Sequence, residues 1–183
     1  LFAAHPALAQ EPSPTATLSQ ETRALWVSRF DFETPNDVRT IVDRAASANL
    51  NVILFQARGV ADALYTPGLE PWSASLSGTL GRDPGWDPLA TVLDLAHARG
   101  LEVHAWINVY PAWQGTTPPP ASVTPIPMYD EFNQRFGQEW VQWTRSGPVQ
   151  LNSEYIYANP AHPAVADRVV AVCRDILTRY PVD

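Results

Sequence analysis

Two helix-like segments of this chain leave by the same exit. Ser47-Ala-Asn-Leu-Asn-Val52 and Ala98-Arg-Gly-Leu-Glu-Val103 each place a residue that tolerates left-handed backbone, Asn49 or Gly100, just ahead of an apolar run. Thr178-Arg-Tyr-Pro-Val-Asp183 has a similar form. A helix exit repeated into a strand means repeated βα units, and such units with right-handed crossovers build a parallel sheet. This constrains the chain more than any other feature.

The elements around these exits follow from spacing. Arg23–Phe30, Asn51–Arg58 and Leu101–Tyr110 read as strands. Thr34 and Asp37 form a capping box around Pro35, and Val38, Ile41, Val42 and Ala45 give the buried stripe of the helix that follows. Asp87 and Pro88 open a second helix with Leu89, Val92, Leu93 and Ala96 on its apolar face. Pro163 begins a third, with Val165, Val169, Val172, Ile176 and Tyr180 on one side. Long connections at 59–85 and 111–127 separate the units, and a short helix is expected around Met128–Thr144. The fold class is therefore α/β. The expected architecture is the N-terminal portion of a TIM-like (β/α)8 barrel, three βα units, truncated before a fourth strand that would begin near Val182. A complete barrel takes about 250 residues, and three units alone leave sheet edges unpaired. A three-stranded doubly wound domain is the alternative, but the first βα turn has no Gly-x-Gly-x-x-Gly phosphate cradle.

Strict alternation splits Leu101–Tyr110 into two faces. Val103, Ala105, Ile107 and Val109 make one; His104, Trp106, Asn108 and Tyr110 make the other. A solvent face rarely carries His, Trp, Asn and Tyr together, so the strand is expected to be buried on both faces, with the second ending in a ligand pocket. Along Asn51–Arg58 the same alternation puts Gln56 and Arg58 on one face with Val52 and Leu54.

Composition narrows the partners. Net charge is −7 and all 12 basic residues are Arg, which argues against nucleic acid and anionic membrane surfaces and removes any Schiff-base lysine. Seven Trp, six Tyr and six Phe suit either an aromatic-rich core or a sugar-binding cleft built from flat rings. One cysteine, Cys173, excludes an internal disulfide and a multi-Cys metal site, and the four histidines are scattered, so neither metal nor other cofactor is expected. Ala7-Leu-Ala9 before Gln10 has the small-residue form at which secretory signals are cut. Residues 1–9 are thus expected to be the remnant of a signal peptide, 10–20 a Pro/Ser/Thr linker, and 21–183 the partial barrel of a secreted, periplasmic or cell-envelope protein. No apolar run of about eighteen residues follows, so no transmembrane segment is expected.

Functional groups of a parallel barrel gather at the C-terminal ends of its strands. That rule selects Arg29 and Asp31, then Gln56 and Arg58, then His104, Trp106, Asn108 and Tyr110, with Asp62, Tyr65 and Trp72 from the connection after the second strand. Arg58 suits two-pronged binding of a carboxylate, either Asp62 in a structural ion pair or an acidic sugar substituent. Asn108 and His104 suit hydroxyls, and Trp106 or Trp72 a stacked ring. Asp31, Glu33, Asp62 and Glu70 are available carboxylates, yet nothing singles out the acid–base pair a glycosidase needs.

Three segments together resemble the glycosyl hydrolase-like 10 family. They are Arg23-Ala-Leu-Trp-Val27; the run Phe55-Gln-Ala-Arg58, Asp62-Ala-Leu-Tyr65, Glu70-Pro-Trp-Ser73 and Asp83-Pro-Gly-Trp-Asp-Pro-Leu89; and Gly100-Leu-Glu-Val-His-Ala-Trp-Ile-Asn108. The chain departs from the family pattern at Val109, where Pro is usual, and at Gly59-Val-Ala61, where Pro-x-Gly is common. The resemblance implies a TIM-like barrel and an exported glycoside hydrolase acting on a polysaccharide, with bacterial peptidoglycan glycan strands as the implied substrate. It places the catalytic carboxylates on a fourth strand beyond Asp183. The substrate-binding residues expected here are Arg58, Asp62, Tyr65, Trp72, His104, Trp106, Asn108 and Tyr110. A non-catalytic glycan-binding or envelope scaffold protein is the competing expectation.

Overall fold

The computed structural model describes residues 21–183. The expected signal remnant and linker lie outside the described residues. In chain order the elements are β1 (Ala24–Val27), α1 (Pro35–Ser47), β2 (Val52–Arg58), α2 (Ala74–Ser77), α3 (Pro88–His97) and β3 (Glu102–Ile107). There follow β4 (Pro111–Gly115), α4 (Met128–Phe136), β5 (Trp143–Thr144), β6 (Gly147–Pro148), β7 (Asn152–Tyr157) and α5 (Pro163–Arg179). β1, β2 and β3 form a parallel sheet in that order.

The capping signals act as the spacing predicts. The Thr34 hydroxyl accepts the Asp37 N–H at 3.3 Å, and the Asp37 carboxylate accepts the Thr34 N–H at 2.8 Å. Asp87 accepts the Ala90 N–H at 2.9 Å to open α3. Both helices stop in left-handed backbone, Asn49 at φ 58° and Gly100 at φ 71°. The next N–H reaches back over the last turn each time, Leu50 to the Ala45 carbonyl and Leu101 to that of Ala96. The repeated exit is thus a repeated helix stop. In the third copy Tyr180 is extended instead, at φ −126°.

β1 and β3 are shorter than alternation predicts, and local bonds explain both. After Val27 the Asp31 carboxylate accepts the Ser28 N–H and hydroxyl at 2.7 and 2.8 Å, which folds the chain into a turn. After Ile107 the carbonyls of Asn108 and Val109 are taken by the Arg58 guanidinium instead of a neighbouring strand.

The register decides which side chains face the helices. Leu25, Ile53 and Val103 lie side by side, as do Val27, Phe55 and Ala105. These rows pack on Val38, Val42 and Ala45 of α1, Leu89, Val92 and Leu93 of α3, and Val172 and Ile176 of α5. The opposite face carries Trp26, Leu54 and His104, then Gln56 and Trp106. Trp26 is 61% exposed, and its ring meets Trp106 edge-on at 4.9 Å. A bulge between Gln56 and Arg58 breaks the alternation and aligns Arg58 with Ile107, on the helix side. The expectation that Arg58 shares a face with Gln56 is corrected by that extra residue.

The connection after β2 is packed rather than loose. The Leu64 N–H donates to the Ala57 carbonyl, Ala63 to that of Pro71 and Ser73 to that of Ala63. Ala63, Leu64 and Tyr65 are fully buried. Between β3 and α5 lies a small unit with its own core of Met128, Phe132, Trp140, Ile156 and Val165, and with β4 and β7 paired antiparallel. The helix expected over Met128–Thr144 ends at Phe136, because Gly137 turns left-handed at φ 59°. Trp140 then leaves the helical path and fills that core.

At the end of α5, the Tyr180 hydroxyl donates to the Asp87 carboxylate at 2.6 Å and accepts the Thr66 N–H at 3.1 Å. Burial and the Asp87 charge push the Tyr180 pKa up to about 12. The raised value belongs to the folded state. Its contribution is therefore complete below the unfolded value of about 10 and is lost as pH rises through about 12. Tyr180→Phe is expected to lower the urea midpoint at pH 8 and to flatten its further fall between about pH 10 and 12. Parallel falls in both proteins would show that Tyr180 is not the group responsible.

Candidate functional site

Two depressions open where the sheet strands end. One, of about 360 Å3, is lined by Arg29, Phe30, Asp62, Ser75, Trp113 and Gln114. The other, of about 380 Å3, is lined by Asn108, Tyr110, Pro111, Tyr155 and Tyr157. A side-chain hydrogen bond joins them: Arg29 Nη2 donates to the Tyr155 hydroxyl at 3.0 Å. Arg29 is held from behind by β2, since its N–H donates to Gln56 Oε1 at 2.8 Å. Its guanidinium lies 4.4 Å from the centre of the Phe30 ring, within cation–π range.

Asp62 is turned inward. Its Oδ1 accepts the N–H groups of Gly59 at 3.2 Å and Val60 at 2.7 Å. A Cβ on Gly59 would stand 2.8 Å from Asp62 Oδ1 and 3.0 Å from Arg29 Cδ, so only glycine lets the backbone pass between them. Asn108 is fixed by its backbone, whose N–H donates to the Arg58 carbonyl at 3.1 Å. Its side-chain amide has no partner among the described residues, and it lines the second depression. Tyr110 and Tyr157 are 42% and 40% exposed there, offering ring faces to a ligand.

The expected site residues thus fall into three groups. Asp62 lines the first depression at the strand ends, and Asn108 and Tyr110 line the second. His104 and Trp106 lie further back on the open face of the sheet. His104 borders a groove between β3 and α5, about four residues or roughly 13 Å of strand below Asn108. Arg58, Tyr65 and Trp72 are inside the protein at 2%, 0% and 8% exposure, out of a ligand's direct reach. Arg58 grips Glu70 with two prongs, Nε to Oε2 at 2.7 Å and Nη2 to Oε1 at 2.8 Å. The carboxylate it holds is Glu70, in place of Asp62 or a ligand. Burial works against the Arg58 charge, but Glu70 outweighs it and holds the guanidinium above its ordinary range. Tyr65 packs edge-on against Tyr180 at 5.7 Å, within the main core.

Phe30, Trp113, Gln114, Tyr155 and Tyr157 escaped the sequence reading. Tyr155 and Tyr157 carried a usable signal, an aromatic at every second position of a short strand. Of the four carboxylates expected near the strand ends, three are engaged: Asp31 with Ser28, Asp62 with two N–H groups, Glu70 with Arg58; the Glu33 carboxylate has no partner among the described residues. Among the described residues, no three His, Cys, Asp or Glu side chains gather to hold an ion, and no helix is long and apolar enough to cross a membrane. Ring faces, an amide, hydroxyls and one cation equip the cleft to bind a polar, ring-shaped ligand.

Residues 21–183 match the glycosyl hydrolase-like 10 family throughout. The chain belongs to that family. Among the relatives of this family member is the protein named glycosyl hydrolase DigH of Escherichia coli (strain K12), 29% identical over 200 residues. That match covers 97% of this chain and 44% of DigH. Glycosyl hydrolase YngK of Bacillus subtilis (strain 168) is 26% identical over 180 residues, covering 92% of this chain and 32% of YngK. The chain therefore spans under half the length of the curated relatives it matches. The GH36 alpha-galactosidase AgaA from Geobacillus stearothermophilus superposes with a TM-score of 0.53 at 13% identity, over 88% of this chain and 20% of that one. A glycoside hydrolase family 20 beta-N-acetylglucosaminidase gives 0.52 at 16%, over 87% and 34%. Both likenesses concern the fold: a mixed α/β chain with a parallel sheet, shared with glycoside hydrolases of TIM-barrel families.

Proposed function

We propose that this chain forms the substrate-binding wall of an exported glycoside hydrolase that cleaves a polysaccharide, with bacterial peptidoglycan glycan strands as the substrate. The observation that carries the reading is the joined cleft at the strand ends, where Arg29, Asn108, Tyr110, Tyr155 and Tyr157 converge. Family membership and relatives named as glycosyl hydrolases support the reaction class.

On this proposal the three strands are the first of a (β/α)8 barrel. Two features support it. The Asp183 N–H donates to the Val103 carbonyl at 3.0 Å, as Glu102 does to Asn51 and Asn51 to Arg23, so each exit joins the sheet beside the one before. A groove of about 310 Å3 lies along β3, bordered by Ala105, Ile107, Cys173, Ile176 and Val182, with room for a further strand. The catalytic carboxylates then lie on polypeptide after Asp183, consistent with the engagement of Asp31, Asp62 and Glu70 here. The same engagement favours a second reading, a glycan-binding or scaffold protein without catalysis.

Incubating the full-length protein with purified peptidoglycan sacculi separates the two. Soluble glycan fragments detected by mass spectrometry are the expected result. Retention on sacculi without release would select the binding protein, and neither would end both readings. Export is tested by fractionation and N-terminal sequencing, with a mature chain starting at Gln10 expected.

A further inference from the structure

We infer that Arg29 is a subsite for a carboxylate carried on a sugar ring of the bound glycan; this rests on the glycan-cleft reading above and narrows its substrate class. Arg29 is 7% exposed, and a buried cation is normally paired, because its lost hydration must be replaced. The other well-buried arginines follow that rule, Arg58 with Glu70 and Arg168 with Glu131. Among the described residues, Arg29 forms no such ion pair. Its neighbours are the neutral Tyr155 hydroxyl and the Phe30 ring. Asp62 stands across Gly59, where a Cβ would lie 2.8 Å from Asp62 Oδ1 and 3.1 Å from Arg29 Nη1, and that Oδ1 accepts two backbone N–H groups without pairing to Arg29. Arg29 lines the first depression, from which a ligand would approach its remaining N–H groups.

The surroundings favour an acidic sugar over a free anion. Phe30 is 75% exposed beside the cation and offers a ring face. Ser75 and Gln114 border the same depression with groups suited to hydroxyls and amides. The chain carries a net charge of −7, which repels an anionic polymer in general and makes one well-placed cation decisive for accepting it. A charge-assisted, two-pronged bond from arginine to carboxylate meets that need. The carboxylate has two chemical sources, the lactyl ether of muramic acid and the ring carboxylate of a uronic acid.

The test titrates the full-length protein with three tetrasaccharides: neutral chitotetraose, the alternating N-acetylglucosamine–N-acetylmuramic acid tetrasaccharide, and a hyaluronan tetrasaccharide. Wild type is expected to prefer an acidic glycan, and the preferred one names the source. Arg29→Gln should weaken that glycan roughly tenfold to hundredfold and leave chitotetraose unchanged. Tyr155→Phe, which removes the bond but keeps the cation, should retain the preference. If Arg29→Gln does not fold, Arg29→Lys and a salt titration of wild type serve instead, with salt weakening the acidic glycan alone. Equal losses for neutral and acidic glycans would make Arg29 a structural residue and overturn the inference while the glycan cleft stands. Wild-type binding without acidic preference would do the same. No binding to any of the three would overturn the cleft reading itself.

Discussion

Glu70→Ala is expected to destabilise the full-length protein by about 3–5 kcal/mol, the usual cost of stranding one member of a buried ion pair. Both partners are almost fully enclosed, at 2% and 1% exposure, so water cannot replace the lost carboxylate. The consequences spread because Arg58 also holds the carbonyls of Asn108 and Val109 where β3 ends. One guanidinium thereby ties together the connection after β2, the end of β2 and the floor of the second depression. Urea denaturation would show the loss directly. A double replacement, Arg58→Met with Glu70→Leu, should recover much of it, since an apolar pair strands no charge. A Glu70→Ala protein within about 1 kcal/mol of wild type would mean that water reaches the guanidinium and that the pair does not anchor the site.

Sequence-based reasoning reached as far as local physics allowed. Thr34, Pro35 and Asp37 start α1, and Asp87 and Pro88 start α3, because capping depends on residues within one turn. Asn49 and Gly100 stop those helices for the equally local reason that each accepts positive φ. Arg58 shows where such reasoning ends. Alternation placed it beside Gln56, and one bulge residue turned it to the other face, toward a glutamate twelve positions away. No local pattern encodes that bulge. The β4–β7 pairing was hidden for a related reason, since Pro111 meets Tyr157 across the whole unit between them. Phe132, Phe136, Trp140 and Trp143 all fall within the helix expected around Met128–Thr144, yet Gly137 divides that segment, and Trp140 joins the core while Trp143 is exposed. The surface at the strand ends was legible where backbone position decides exposure, as at Asn108 and Tyr110. Exposure was illegible where long-range packing decides, as at Tyr65 and Trp72.

These placements change what the strand Glu102–Ile107 contributes. Trp106 and His104 face the open side of the sheet, whereas the residues just past the strand, Asn108 and Tyr110, line the cleft. With Asp31, Asp62 and Glu70 engaged, the described cleft serves in the proposed function as a binding surface. The proposed function makes glycan recognition and bond cleavage separable by mutation: substitutions at Arg29 or Asn108 should change affinity and selectivity, while loss of turnover at unchanged affinity would map elsewhere on the full-length protein.

Residues 21–183 prepared alone are expected to self-associate and to bind a hydrophobic dye such as ANS. Both edges of the three-stranded sheet present unpaired backbone groups, a template for further pairing. Each edge also borders an apolar groove. Beside β1 a space of about 490 Å3 is lined by Leu25, Trp26, Ile41, Ala45 and Leu50. Beside β3 the smaller groove is lined by Ile107, Ile176 and Leu177. Trp26 and Leu177 are 61% and 67% exposed, at costs that a covering strand or helix would remove. Sedimentation velocity should show oligomers or aggregates for residues 21–183, and a monodisperse species for the full-length protein. Hydrogen exchange should then find the outer amides of β1, and those of β3 beyond Val103, which already donates to Asp183, protected in the full-length protein alone. A soluble monomer of residues 21–183 with one sharp thermal transition and no dye binding would show that three strands suffice, and the barrel proposal would lose its main physical support.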